Sequence, residues 1–154
     1  MIGVAKQKKR RRNERQNTVT MAVILAVVTL VLYVQVVSFE FINLDDPDYV
    51  YNNQYVRSGI TAENVTWAFT LHGPGQWHPL TWISHQLDCQ LFELDAGMHH
   101  LVNALLHVAN VVLLFFLLIK MTSALAPSFL VAALFAWHPL SVESVAWVSE
   151  RRDV

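Results

Sequence analysis

The stretch that most limits this chain's fold is Val19 to Phe39, 21 consecutive residues without a charge and rich in Val, Leu and Ile. At about 1.5 Å of rise per residue a helix of that length spans roughly 30 Å, the thickness of a bilayer's hydrocarbon core. The segment before it, residues 1–18, carries Lys6, Lys8, Lys9, Arg10, Arg11, Arg12 and Arg15 against Glu14 alone, a charge of +6. A basic run directly before an apolar span reads as a topology signal that keeps the N-terminus cytoplasmic, with added attraction to anionic lipid heads. The residues after the span, Val36-Val37-Ser38-Phe39-Glu40-Phe41, make a poor signal-peptidase site, so the span reads as uncleaved.

Composition agrees: 54% of residues are hydrophobic and 15% charged, against about a quarter charged in soluble domains. Charge is also segregated. From Glu40 to Asp95 the acids Glu40, Asp45, Asp46, Asp48, Glu63, Asp88, Glu93 and Asp95 face Arg57 alone, giving −7, as two sides of a membrane produce. Cys89 is the single cysteine, which rules out an intrachain disulfide and reads as a packing residue rather than a nucleophile.

Residues 40–97 form the first outer loop, with enough aromatic content to fold. Thr61 is a predicted N-cap for a helix through Asn64-Val65-Thr66-Trp67-Ala68-Phe69. Gly73-Pro74-Gly75 is a break, and Pro79 suits the first turn of a second helix, Pro79 to Phe92. Both helices are predicted to lie in the interface with Trp at the headgroup level. Asn64-Val65-Thr66 is a glycosylation sequon of little weight.

A second span is predicted over 98–119. His100, Asn103, His107 and Asn110 fall at i, i+3, i+7 and i+10, one stripe of a helix, which in a membrane must face protein or a water-filled cavity. A turn at 120–123 leads to a third, short apolar segment, 124–137, and residues 138–154 begin a second outer loop. The expected fold is therefore an all-α, multi-pass membrane protein. Because the chain ends inside a charged motif without a fourth span, it reads as the N-terminal part of a longer protein.

Polar groups then converge on the outer side from three places: Asp45 and Asp46 after the first span, His99, His100 and Asn103 at the top of the second, and His138 and Glu143 after the third. Carboxylates, imidazoles and guanidinium groups at a membrane face suit a lipid-phosphate substrate. A carboxylate can take the proton of an acceptor hydroxyl, and Arg and His can stabilise a departing phosphate. The same Asp45-Asp46-Pro47-Asp48 run is also the composition of an Asp-rich turn. Trp77-His78-Pro79-Leu80-Thr81 and Trp137-His138-Pro139-Leu140-Ser141 echo each other. They read either as two Trp anchors before Pro-initiated helices or as a pair of phosphate or sugar donors, His78 and His138. His99, His100 and His107 lack a carboxylate at i+3 or i+4 to complete a metal site, and His100 and His107, about 10 Å apart by rise, are candidates for separate haems only.

The runs Phe41-Ile42-Asn43-Leu44-Asp45-Asp46-Pro47-Asp48-Tyr49-Val50, Gly59-Ile60-Thr61, Trp77-His78-Pro79-Leu80-Thr81-Trp82, His99-His100-Leu101-Val102-Asn103 and Glu143-Ser144-Val145-Ala146-Trp147-Val148, with Glu150-Arg151-Arg152-Asp153-Val154, resemble the tetratricopeptide-repeat-containing membrane O-mannosyltransferase family, most closely its bacterial members. That family belongs to the GT-C glycosyltransferases. The resemblance covers about residues 35 to 154. It implies inverting transfer of a sugar, mannose being the first candidate, from a polyprenyl-phosphate donor to a protein or glycan hydroxyl in a bacterial inner membrane. It implies an essential acid at Asp45 or Asp46, with Asp46 preferred, and a second acidic motif at Glu143, or else Glu150. His78, His99, His100, Asn103, His138, Arg151 and Arg152 are the expected substrate-binding residues. A divalent cation is the one cofactor entertained, and no nucleic-acid partner is expected. The rival function is a non-catalytic membrane scaffold whose repeat region, absent from this sequence, binds partner proteins.

Overall fold

A computed structural model describes residues 2–70 and 77–154; the Gly73-Pro74-Gly75 break lies outside the described residues. The described residues form helices joined by turns and loops, with no strand among them. Helix α1 is Ile2–Tyr33, followed by a 3₁₀ turn at Val34–Ser38 and a single wide turn at Pro47–Tyr51. Four more helices, α2 (Gln54–Arg57), α3 (Ala62–Ala68), α4 (Pro79–Phe92) and α5 (Ala96–Thr122), lead to α6 (Leu125–Trp137), α7 (Ser141–Ala146) and a closing 3₁₀ segment, Val148–Asp153. The basic tail and the first apolar run are thus one continuous helix, because nothing between Ile2 and Tyr33 breaks it.

Among the described residues two stretches, Gln7–Ser38 and Ala96–Thr122, are long and apolar enough to cross a membrane. The expected third span is shorter: α6 has 13 residues, about 20 Å of rise, below the roughly 30 Å of hydrocarbon. Local chemistry sets both of its ends. Ser123 takes a left-handed conformation at φ 55° and stops α5, and Pro139 turns the residue before it, His138, out of helical geometry and ends α6 at Trp137.

The chain divides into two compact units. One combines Met1–Leu32 with Val108–His138. Its centre is Ala22, Leu25, Val111, Phe115, Ala132, Ala133 and Ala136, and the three alanines of α6 are the small residues that let helix backbones approach closely. Buried Thr29 accepts a hydrogen bond from Trp137 Nε1 at 3.2 Å. The outward side chains are apolar as well: Val31 and Leu113 are each 65% exposed, and Leu130 and Leu134 each 60%. A water-facing helix carries polar residues there.

The other unit combines Tyr33–His107 with Pro139–Val154. Its sequence-predicted helices are realised. Thr61 Oγ1 accepts from Asn64 N at 3.1 Å and opens α3, and α4 runs Pro79–Phe92 with proline in its first turn. The aromatic residues of this unit pack on one another. Trp82, 3% exposed, stacks on Tyr49 with ring centres 4.6 Å apart and meets Trp67 edge-on at 5.3 Å. Such pairs contribute about 0.5–1.5 kcal/mol each beyond area burial. Trp77 alone of these three stays largely exposed. The Asn64 sequon is also closed. Its side chain is buried, and Nδ2 donates to Gly59 O at 2.6 Å and Ser58 Oγ at 3.0 Å.

Candidate functional site

Within this second unit the polar stripe of α5 faces protein, as its spacing requires. His99, His100 and Asn103 are fully buried and His107 nearly so. His107 packs edge-on against Tyr33 and His100 against Phe39, with ring centres 5.2 and 6.0 Å apart. His100 Nε2 also lies 3.4 Å from the Glu40 carbonyl.

Arg151 is the centre of the site. The closing 3₁₀ segment carries it into the unit, where it is 5% exposed. Nη1 forms an ion pair with Asp88 Oδ2 at 2.6 Å and donates to Ser84 Oγ at 2.9 Å. Nε donates to Asn103 Oδ1 at 2.6 Å, and Nη2 to the His99 carbonyl at 3.0 Å. Asn103 in turn donates to the Trp147 carbonyl at 3.0 Å. Ser84 and Asp88 sit one turn apart on α4, and His99 and Asn103 one turn apart on α5, so each helix offers a single face to the guanidinium. Burial pushes the Asp88 carboxyl up and the Arg151 guanidinium down, and each charge pulls the other back.

Asp46 holds the same segment two residues earlier. Its carboxylate is fully buried and accepts from Ile42 N at 2.8 Å, from Ser149 N at 3.0 Å and from Ser149 Oγ. Asp45 is half-buried and its carboxylate has no partner among the described residues, and Asp48 is exposed. Arg152 bridges Glu150 at 2.9 Å and donates to the Tyr49 hydroxyl at 3.3 Å. Burial, followed by a hydrogen bond with Asp153, raises the Glu150 carboxyl from its ordinary value.

The structure therefore brings together Asp46, His99, Asn103, Glu150, Arg151 and Arg152, with His100 alongside on α5. It leaves others outside. Glu143 is exposed on α7, His138 is exposed and belongs to the other unit, and His78 caps α4 half-buried, with Nε2 unpartnered. For Asp46, preferred as a proton acceptor, the expectation of an accessible carboxylate is not met: three donors already occupy it.

Sequence reasoning gave no site role to Ser84, His85, Asp88 or Ser149, though His85 and Asp88 are part of the family resemblance. His85 and Asp88 stand at i and i+3 on a helix whose limits were legible, and that spacing was the available signal. His85, Asp88 and His99 are all buried, and one ligand atom from each lies within 4.8 Å of the others, an arrangement compatible with a divalent metal ion. His85 stacks on His99 with ring centres 6.3 Å apart. Burial first, then Arg151 and His99, hold His85 well below the ordinary imidazole range. Cys89, beside this group, is buried with its thiol pushed up to about 11 by burial and by Asp88, as befits a packing residue.

Comparison with family models, curated proteins and solved structures gives no match.

Proposed function

We propose that this chain is part of an integral-membrane, inverting glycosyltransferase of the GT-C kind, with its N-terminus cytoplasmic, in a bacterial inner membrane. It would move a sugar, mannose first among candidates, from polyprenyl phosphate to a hydroxyl of a protein or glycan. The observation that carries this reading is the Asp46 clamp on Ser149, 103 positions away. The acidic run after the first apolar helix and the Glu150-Arg151-Arg152 run are the two stretches the chemistry needs, and they share one compact unit.

Roles follow from accessibility. Asp45, adjacent to the clamp and with its carboxylate unengaged, is the base; Asp46 is the residue that holds the loop in position. In the transfer step the acceptor O–H gives its proton to Asp45 as its oxygen bonds to the anomeric carbon from the side opposite the phosphate. The bond from that carbon to the phosphate oxygen breaks, and its electron pair leaves with the phosphate. Arg152, whose side chain is 26% exposed, is better placed to meet a phosphate than Arg151, whose donors are already engaged.

The test is sugar transfer from polyprenyl-phosphate mannose by the full-length protein in proteoliposomes. Asp45→Asn is expected to lower turnover by about 10²–10⁴-fold, the range for loss of a general base, with the protein still folded. Wild-type protein without turnover, or an Asp45→Asn variant within roughly threefold of it, refutes the assignment.

A further inference from the structure

We infer that His85, Asp88 and His99 form a binding site for a zinc-class divalent cation, a site that no part of the transfer chemistry requires. The hydrogen-bond pattern of His99 carries this furthest. Its Nε2 lies 3.1 Å from the Glu93 carbonyl, an acceptor, so Nε2 holds the hydrogen. In the neutral ring Nδ1 then carries a lone pair, and it lies 3.6 Å from Asp88 Oδ2, also an acceptor. Arg151 Nη1 already holds Asp88 Oδ2 at 2.6 Å, so the unmet group of the pair is His99 Nδ1, a buried acceptor without a hydrogen-bond partner. A ring that gives one N–H to a backbone carbonyl and turns the other nitrogen to a cation is the arrangement of metal-ligating histidines.

His85 is an independent second sign. It is fully buried, and neither ring nitrogen has a hydrogen-bond partner, although a buried polar group without a partner is costly. Its ring is stacked on His99 and aimed into the same group. Two ligand atoms on a tetrahedral zinc sit about 3.3–3.6 Å apart. The Asp88–His99 pair already meets that spacing at 3.6 Å, and closing the 4.8 Å limit of the set takes about 1 Å of side-chain movement.

The supporting groups are in place. Glu93 ends α4 at φ 57°, ψ −128°, a backbone conformation that favours glycine, and this strained turn is what delivers its carbonyl to His99. Arg151 keeps three neutral acceptors, Asn103, Ser84 and the His99 carbonyl, besides Asp88, so the guanidinium stays held while Asp88 turns toward an ion. Its charge opposes the ion's, and Arg151 therefore weakens binding. Two imidazoles and one carboxylate suit zinc or cobalt better than magnesium or calcium, which prefer all-oxygen sites.

The experiment uses the full chain in detergent, freed of any affinity tag and stripped with chelator, then titrated with Co²⁺ and Zn²⁺. Wild-type protein is expected to take up about one equivalent of Zn²⁺. It should show visible Co²⁺ bands that Zn²⁺ abolishes and that lack thiolate charge transfer. His85→Gln is expected to weaken Zn²⁺ binding at least tenfold, and Arg151→Met to tighten it. Uptake unchanged by His85→Gln would mean an adventitious ion only and overturns the site. Should His85→Gln fail to fold, the wild-type melting midpoint decides. A rise with Zn²⁺ but not with Mg²⁺ supports the site, and no rise means that a proton alone separates His99 from Asp88.

Discussion

Replacing Arg151 by methionine in the presence of chelator removes the ion pair to Asp88 and the hydrogen bonds to Asn103, Ser84 and the His99 carbonyl in one step. The replacement fills most of the stem's volume, so the loss is electrostatic rather than a cavity. Asp88 is left as a buried carboxylate without a counter-charge, and breaking a buried pair in this way costs about 3–5 kcal/mol. At about 2–4 °C per kcal/mol for a chain of this size, the melting midpoint falls by roughly 6–20 °C. The double variant Asp88→Leu with Arg151→Met removes both charges and recovers most of that loss, because the desolvation cost disappears with the pair. Thermal unfolding in detergent followed by circular dichroism measures all the proteins of the cycle. A single Arg151→Met variant within about 1 kcal/mol of wild type would show that the pair is solvated. A double variant no more stable than the single one would show that the loss lies in the neutral hydrogen bonds.

Burial keeps His85 neutral in the fold, with its pKa well below the ordinary value, while the unfolded chain binds a proton near pH 6.5. Stability is therefore fully present above about pH 6.5 and falls as the pH drops through the interval below it, by up to about 1.4 kcal/mol per pH unit. Chelated wild-type protein should lose midpoint over that interval, and a folded His85→Gln variant should show a flatter profile. Gly97→Ala places a Cβ against the Val37 carbonyl oxygen, a backbone contact that cannot rotate away. It should cost about 1–3 kcal/mol, as overpacking does, visible as a lowered melting midpoint. The Cys89 thiol, at about 11 and buried, should resist maleimide at pH 7.5 in the folded protein and react once denaturant is added; rapid labelling of the folded form would refute its burial.

Much of the local structure was legible in the sequence because local structure depends on near neighbours. Thr61 capping α3, Pro79 opening α4 and the buried stripe His100, Asn103 and His107 each follow from residues within a few turns of one another. The expected convergence of acids and imidazoles was legible only in part: Asp46, His99, His100 and Asn103 share one unit, while Glu143 is exposed and His138 belongs to the other unit. The roles within the convergence were not legible. Spacing places Asp45 and Asp46 side by side, but only a packed partner decides that Asp46 turns inward to the Ser149 amide. Spacing likewise shows His85 and Asp88 on one face of α4, yet nothing near them in the chain identifies the facing His99 or Arg151.

What the sequence alone determined is the class of this protein: helical, with apolar runs at 19–39 and 98–119 long enough for a bilayer, and an acidic segment set apart from a basic tail. These are properties of composition and period, summed over many residues. Tertiary structure decided which charges are buried and with whom. A carboxylate is equally at home in water, in an ion pair or on a metal, and the choice depends on groups brought from distant parts of the chain, Asp46 to Ser149 and Asp88 to His99 and Arg151. Burial then raises the cost of leaving any such group unpaired, which is why the assignment of partners, invisible in the sequence, governs both the stability and the chemistry of the site.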